Sequence, residues 1–296
     1  MAAIENVNRG QLVVLWTMTA FYATGRVCQQ YPGTVPALLI VGLQVVPPAV
    51  FALIHAGIVY RVRGMLVFTL CCLGMGSLFE SLSLRTGFPF GHYVFTDLMG
   101  PKVLDVPVLL VLAYLGIGYC SWVLAVLILG HRNQPLTGRR VLTLPLLASA
   151  IMLAWDVSMD SIWATLDRAW IWQDGGRYFG VPISNFLGWY LTAFLFYLSF
   201  ALYLRAKPAP IHPLPPALWR LAVLIYGVCG LGNLLVFRDG LFPQSAMDAT
   251  GKVWVTSNIL LASVLVSLLV MIPFAMLAWF RGRDVRSLAG ASNQSA

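Results

Sequence analysis

Two carboxylates one helical turn apart, Asp156 and Asp160, stand in Trp155-Asp156-Val157-Ser158-Met159-Asp160, near the end of an otherwise apolar run of membrane length. Their i, i+4 spacing puts them on one helix face. A carboxylate in hydrocarbon is costly, so an intramembrane Asp is read as functional, facing a cavity or a partner. Like charges held that close do not both ionise cheaply, and at least one is expected to keep its proton near neutrality. That is the state a general acid needs. A third acid, Glu80, lies about one turn from the outer end of another apolar run. The structural alternative for all three is an ion pair with Arg85, Arg26 or Arg168.

Around these acids cluster aromatic and amide side chains. Trp155, Trp163, Trp170 and Trp172 fall within 18 residues; they form either an interfacial belt or the lining of a pocket, and their place beside two acids favours the pocket. Tyr178, His92, Tyr93 and Asn185 complete the candidate lining, although His92 and Tyr93 also suit interface anchors. Asn185 and Asn233 also suit helix-to-helix ties. His55, on the opposite half, reads as structural.

The elements that must position these groups are membrane helices. Of 296 residues, 59% are hydrophobic and 10% charged, against roughly a quarter charged in soluble domains. A span needs about 20 apolar residues. The chain offers eight runs, approximately 11–27, 34–60, 65–84, 107–129, 141–163, 184–204, 217–237 and 255–280. The expected fold is an all-α polytopic bundle, with 1–280 as one integral domain and 281–296 as a polar cytoplasmic tail. Twelve of the 19 Lys and Arg residues fall on one side of this topology and seven on the other, which puts both termini in the cytoplasm. Their placement also explains the net charge of +8 without nucleic acid. Nine of the eleven carboxylates lie toward the outer end, so chemistry is expected there. The five cysteines show no CxxC or ligand spacing, and the four that lie within spans read as packing. No metal site is expected.

Two outer loops share a plan. Each begins after an acid in the last turns of a span, makes an aromatic-rich excursion, and ends in Val-Pro before the next span: Val106-Pro107 and Val181-Pro182. The same pair at Val35-Pro36 precedes the second run, hinting at repeated helical hairpins. Such apolar loops should fold over the bundle mouth as two facing half-sites. Pro47-Pro48 is expected to kink the second run.

With these pieces in view, the chain resembles the integral-membrane carotenoid biosynthesis family that contains carotenoid 1,2-hydratases and bisanhydrobacterioruberin hydratases. The resemblance rests on Phe79-Glu80, Thr86-Gly87-Phe88-Pro89-Phe90-Gly91-His92-Tyr93, Leu98-Met99-Gly100-Pro101, Trp155-Asp156 with Asp160, and Tyr178-Phe179-Gly180-Val181-Pro182 through Asn185-Phe186-Leu187-Gly188-Trp189. It implies addition of water across the terminal 1,2 double bond of an acyclic carotenoid end group, without cofactor, in the bacterial cytoplasmic membrane. The partners implied are a carotenoid, water and membrane lipid.

The residues suit that chemistry. Protonating the alkene at C2 makes a tertiary cation at C1, which water captures. Asp156, the deeper acid, is expected to protonate; Asp160 or Glu80 is expected to orient and deprotonate the water. Faces of Trp155, Trp163 and Tyr178 are candidates to stabilise the cation, an attraction worth about 2 kcal/mol when desolvated. Three other readings compete. A carotenoid cyclase would need a drier pocket. A prenyltransferase would hold Mg²⁺ and diphosphate on adjacent Asp clusters, which Asp156-x-x-x-Asp160 matches poorly. A proton-coupled transporter would need polar residues reaching the cytoplasmic side.

Overall fold

The computed structural model of the chain describes residues 8–132, 134–207, 214–238 and 240–282. Most of the predicted polar tail, from residue 283 onward, lies outside them. Helix α1 (Arg9–Cys28) leads into α2 (Ala37–Thr86), strands β1 (Tyr93–Phe95), β2 (Lys102–Val103) and β3 (Val106–Pro107), then α3 (Val108–Ile128) and α4 (Arg140–Ser161). Strand β4 (Trp170–Trp172) follows, then α5 (Ile183–Ala206), α6 (Pro216–Leu235), the hairpin β5 (Ser245–Met247) and β6 (Val253–Val255), α7 (Thr256–Val266) and α8 (Ile272–Arg281).

This is an all-α multi-pass membrane bundle. Six of the helical segments are long and apolar enough to cross a membrane. One of them, α2, has 50 residues and leaves helical geometry at Arg61 (φ 59°, ψ 173°), so it supplies both the second and third predicted runs. The interruption falls at Arg61; the helix continues through Pro47-Pro48, where the kink was expected. The eighth run is α7 and α8 joined by a π-helical turn, Ser267–Met271. Large apolar side chains such as Leu70, Leu187 and Leu269 stand on the outer surface, where lipid is their natural solvent.

Helix α3 is the axis, with 83% of its most apolar stretch buried. Gly116 lets it press against α2: a Cβ there would lie 2.7 Å from the Pro48 Cβ and 2.9 Å from the Ala49 nitrogen. In the half of the bundle away from the outer loops, Phe68, Tyr119, Trp122, Tyr197 and Phe200 interlock edge to face and in stacks. His55 is fully buried there, its two ring nitrogens 2.7 Å from the Tyr119 hydroxyl and 3.0 Å from the Leu218 carbonyl. With both nitrogens satisfied it is a structural histidine, as expected.

Pro36, Pro107 and Pro182 each sit immediately before a helix, in extended geometry as the cap residue. The Val-Pro pairs therefore mark helix starts one residue earlier than a first-turn proline would. The outer loops meet at one end of the bundle, where β1 and β4 pair antiparallel across them.

Candidate active site

The three acids come from two helices. Glu80 lies in the last turns of α2, and Asp156 and Asp160 in the last turns of α4. Beyond Asp160 the helix widens into a π-helical turn, Ile162–Leu166, a form often found at functional sites. Asn185 follows from the start of α5, placed by the Pro182 cap. All three acids are almost wholly enclosed: Glu80 is 3% exposed, Asp156 and Asp160 1% each.

Asn185 bridges the aspartates, its Nδ2 donating to Asp160 Oδ2 at 2.6 Å and to Asp156 Oδ2 at 3.3 Å. The Trp170 indole donates to Asp160 Oδ1 at 2.8 Å. Glu80 accepts from the Tyr114 hydroxyl at 2.6 Å and from the Tyr93 hydroxyl. Among the described residues, none of the three carboxylates is ion-paired. Their partners are phenols, an indole and an amide, so the arginine alternative is set aside. One oxygen, Asp156 Oδ1, is buried without a hydrogen-bond partner.

The strand pairing explains why the loops deliver aromatics here. In β1 and β4, Tyr93 faces Trp172 and Phe95 faces Trp170. Side chains alternate along a strand, so these four turn inward together while Val94 stays 44% exposed. They enclose a void of about 20 Å³ bounded by Glu80, Asp160 and Asn185, room for about one water. The buried Trp172 indole N–H, on the wall of this void, has no hydrogen-bond partner of ordinary geometry. The two predicted half-sites thus face one another across a single short ladder.

Not every predicted residue lines this chamber. Trp155 packs edge-on against Trp189 at 5.7 Å and faces a neighbouring void. Trp163 stacks on Trp170 at 6.2 Å but also opens toward that neighbouring void. The reason is helical geometry: Trp155 and Met159 form a stripe of α4 turned about 100° from Asp156 and Asp160, and Trp163, in the π-helical turn that follows, extends it. Tyr178 is half-buried, donates to the Val157 carbonyl at 3.3 Å and packs on Phe186. His92 is exposed and pairs with Asp174 at 2.8 Å, outside the chamber. Tyr93 is deeply buried rather than anchoring at an interface.

Residues outside the predicted set also belong to the site: Phe90, Phe95, Leu110 and Trp189 line the void, and Tyr114 binds one of its acids. Tyr114 holds Glu80 and stacks on Trp189, with ring centres 4.2 Å apart. Trp189 lines the void one turn after Asn185. The i, i+4 relation to Asn185 was the available signal for Trp189; Tyr114 had only its lone hydroxyl in an apolar run.

The third outer loop, which lacks an intramembrane acid, serves as a clasp. Asp248 accepts from the Thr250 amide (2.9 Å) and hydroxyl (2.6 Å), the Lys252 amide (3.1 Å) and the Trp254 indole (2.8 Å). Trp254 in turn meets Phe179 edge-on at 5.6 Å. Partial burial works to raise the Asp248 carboxyl, but these hydrogen bonds outweigh it and hold it below its ordinary 3.8. A depressed carboxyl stabilises the fold above its unfolded value, and the contribution is lost as pH falls through the folded value. Hydrogen exchange in residues 245–255 is therefore expected to accelerate below about pH 4. Asp248→Asn is expected to remove that pH step; an unchanged step would mean another group causes it.

Comparisons with known proteins bear on this arrangement. A family model described as "Carotenoid biosynthesis protein" matches residues 35–247, which include Glu80, Asp156, Asp160 and both facing loops. The chain is also 31% identical over 122 residues to bisanhydrobacterioruberin hydratase from Haloarcula japonica. That alignment covers 41% of this chain and 39% of the relative's length. No solved structure matches significantly.

Proposed function

Because this chain belongs to the carotenoid biosynthesis protein family, we propose that it hydrates the terminal 1,2 double bond of an acyclic carotenoid end group. The observation that carries the reading is the chamber: buried carboxylates, aromatic walls and space for about one water in the same place. The hydratase name of the partial relative supports the same reaction class.

The roles follow from which oxygens are free. Asp156 does not itself border the void, but its Oδ1 is buried without a partner in the protein, and the proton delivered to C2 of the alkene is assigned to that oxygen. Proton transfer leaves a tertiary cation at C1, beside the aromatic walls that attract it. Water bonds to C1 and loses a proton to Asp160 or Glu80, the two acids that border the void. Return of that proton to Asp156 restores the starting state, and the net change is one water added to one double bond. Asn185 keeps the aspartates in register, while Tyr93 and Tyr114 orient Glu80. The long polyene remains in lipid, in the bacterial cytoplasmic membrane.

The test is expression in a lycopene-accumulating bacterium grown in heavy-oxygen water. The pigment is expected to gain one or two waters, with the label in each hydroxyl. Unchanged mass with shifted absorption would mean cyclisation, in which an internal double bond traps the cation. An unlabelled hydroxyl would mean oxygen came from elsewhere than water.

A further inference from the structure

A second cavity, of about 230 Å³, lies between α1, the start of α2 and the ends of α4 and α6. A smaller void of about 40 Å³ shares Arg26, Gln44, Met159 and Trp163 with it and ends on Trp155, the neighbour of Asp156. The two voids therefore lie side by side along the face of the acid-bearing helix that carries Met159 and Trp163.

The floor of this cavity is a buried cation. Arg26 is 7% exposed and donates to Gln44 Oε1 at 2.6 Å, to the Cys229 carbonyl at 3.3 Å and to Asn233 Oδ1. It lies flat across α6 because residue 232 is glycine; a Cβ there would come within 2.0 Å of Arg26 Nε. Asn233 is itself fixed by Ser158 of α4, at 3.0 Å, and by Ser267, at 2.9 Å. Every hydrogen-bond partner of the guanidinium is neutral, and among the described residues no carboxylate is within ion-pair distance of it. Asp167, the nearest candidate by position, lines the cavity without pairing to it.

This lining selects by chemistry. A carbocation would be repelled by an uncompensated guanidinium, so the cation does not form here. A phosphate needs the guanidinium fork, which is already occupied by amides, and Asp167 would repel it. A hydroxyl needs only a single donor, which the guanidinium N–H groups left outside those three bonds supply, and an acceptor, which Asp167 supplies. The rest of the wall, including Ile40, Val41, Ile162 and Leu241, is apolar.

We propose that this cavity is a second ligand site that takes the hydroxyl-bearing end of a carotenoid. The inference rests on the hydratase reading, because that reaction supplies such an end as its product. The end made in the acid chamber would be held beyond Trp155, where its new oxygen is hydrogen-bonded.

The experiment measures binding, not turnover. The full chain in lipid nanodiscs is titrated with lycopene and with a 1-hydroxy acyclic carotenoid, following quenching of tryptophan fluorescence by the polyene. An Asp156→Asn background stops conversion during the titration. Binding about tenfold tighter for the hydroxylated pigment is expected. Arg26→Met and Asp167→Asn should each remove that preference while leaving lycopene binding as it was. Ile40→Trp, which fills the cavity, should remove the preference too. Since Arg26 joins three helices and its replacement can unfold the chain, Asp167→Asn and Ile40→Trp decide the matter in that event. Equal affinities in the parent protein, or a preference that survives Asp167→Asn and Ile40→Trp, would overturn the proposal. Loss of the preference in nanodiscs rich in phosphatidylglycerol, but not in phosphatidylcholine, would assign the cavity to an anionic lipid headgroup and also overturn it. The heavy-oxygen experiment fails separately: an absent label sinks the hydratase reading whatever the binding shows.

Discussion

Asp156→Asn is expected to abolish hydration while leaving a folded protein in the membrane. The amide keeps an oxygen that can accept from Asn185, which now donates to Asp156 Oδ2 at 3.3 Å. What disappears is the acidic proton on the one oxygen, among those of Glu80, Asp156 and Asp160, that has no hydrogen-bond partner. General acid catalysis contributes typically 10²–10⁴-fold, and the other two acids, Asp160 and Glu80, have both oxygens engaged by hydrogen-bond donors, so the upper part of that range is expected. Product formed per unit protein in isolated membranes gives the measurement, with thermal melting as the folding control. Near-normal turnover would take the acid role away from Asp156. Asn185→Leu should fall between the two, because the aspartates would keep their protons but lose the donor they share.

Gly176→Ala is expected to be nearly as damaging, for a reason that has nothing to do with proton transfer. A Cβ at residue 176 would lie 2.0 Å from the Val181 carbonyl carbon and oxygen and 2.2 Å from the Pro182 nitrogen. These are backbone atoms, so no side chain can swing aside. The neighbouring turn is closed by the Tyr178 and Val181 amides, each bonded to the other's carbonyl at 3.2 and 3.0 Å. Opening it shifts Pro182, the cap from which Asn185 is placed. Overpacking of this kind costs about 1–3 kcal/mol, and the upper end is expected here. Activity should fall at least tenfold with it. Gly33→Ala, with nothing within 4 Å of the added carbon, is the matched control and should change stability by less than about 0.5 kcal/mol. If the two variants melt alike, the turn does not hold the chamber.

The bundle was legible because lipid leaves hydropathy few alternatives: apolar runs of span length, broken by Val-Pro, translate directly into helices. The break in α2 was legible as a gap between two runs, but its position at Arg61 rather than at the prolines was not. A proline pair that packs against a glycine on α3 can stay helical, and that neighbour is invisible along the chain. Of the site, the buried acids stood out because charge in an apolar stretch is rare. The lining was read less well, since a tryptophan count does not specify direction. Trp170 and Trp172 alternate on a strand and turn inward with the acids, whereas Trp155 on α4 and Trp163 in the π-helical turn after it ride a different stripe. Tyr-Val-Phe at 93–95 and Trp-Ile-Trp at 170–172 carry the same alternation, which was the overlooked sign of a ladder. Arg26 was seen only as a potential partner for the acids. Its actual partners, Gln44 and Asn233, come from helices 18 and 207 residues away, and no local pattern joins them.

The paired strands β1 and β4 seal the outer mouth with aromatic rings, and the chamber behind them has space for scarcely more than a solvent molecule. Only an end group that parts these rings can enter, so the device gauges the tip of a rod and is blind to its length. Polyenes of forty or fifty carbons that finish in the same isoprenoid cap should therefore compete on equal terms, each with its shaft left out among the acyl tails.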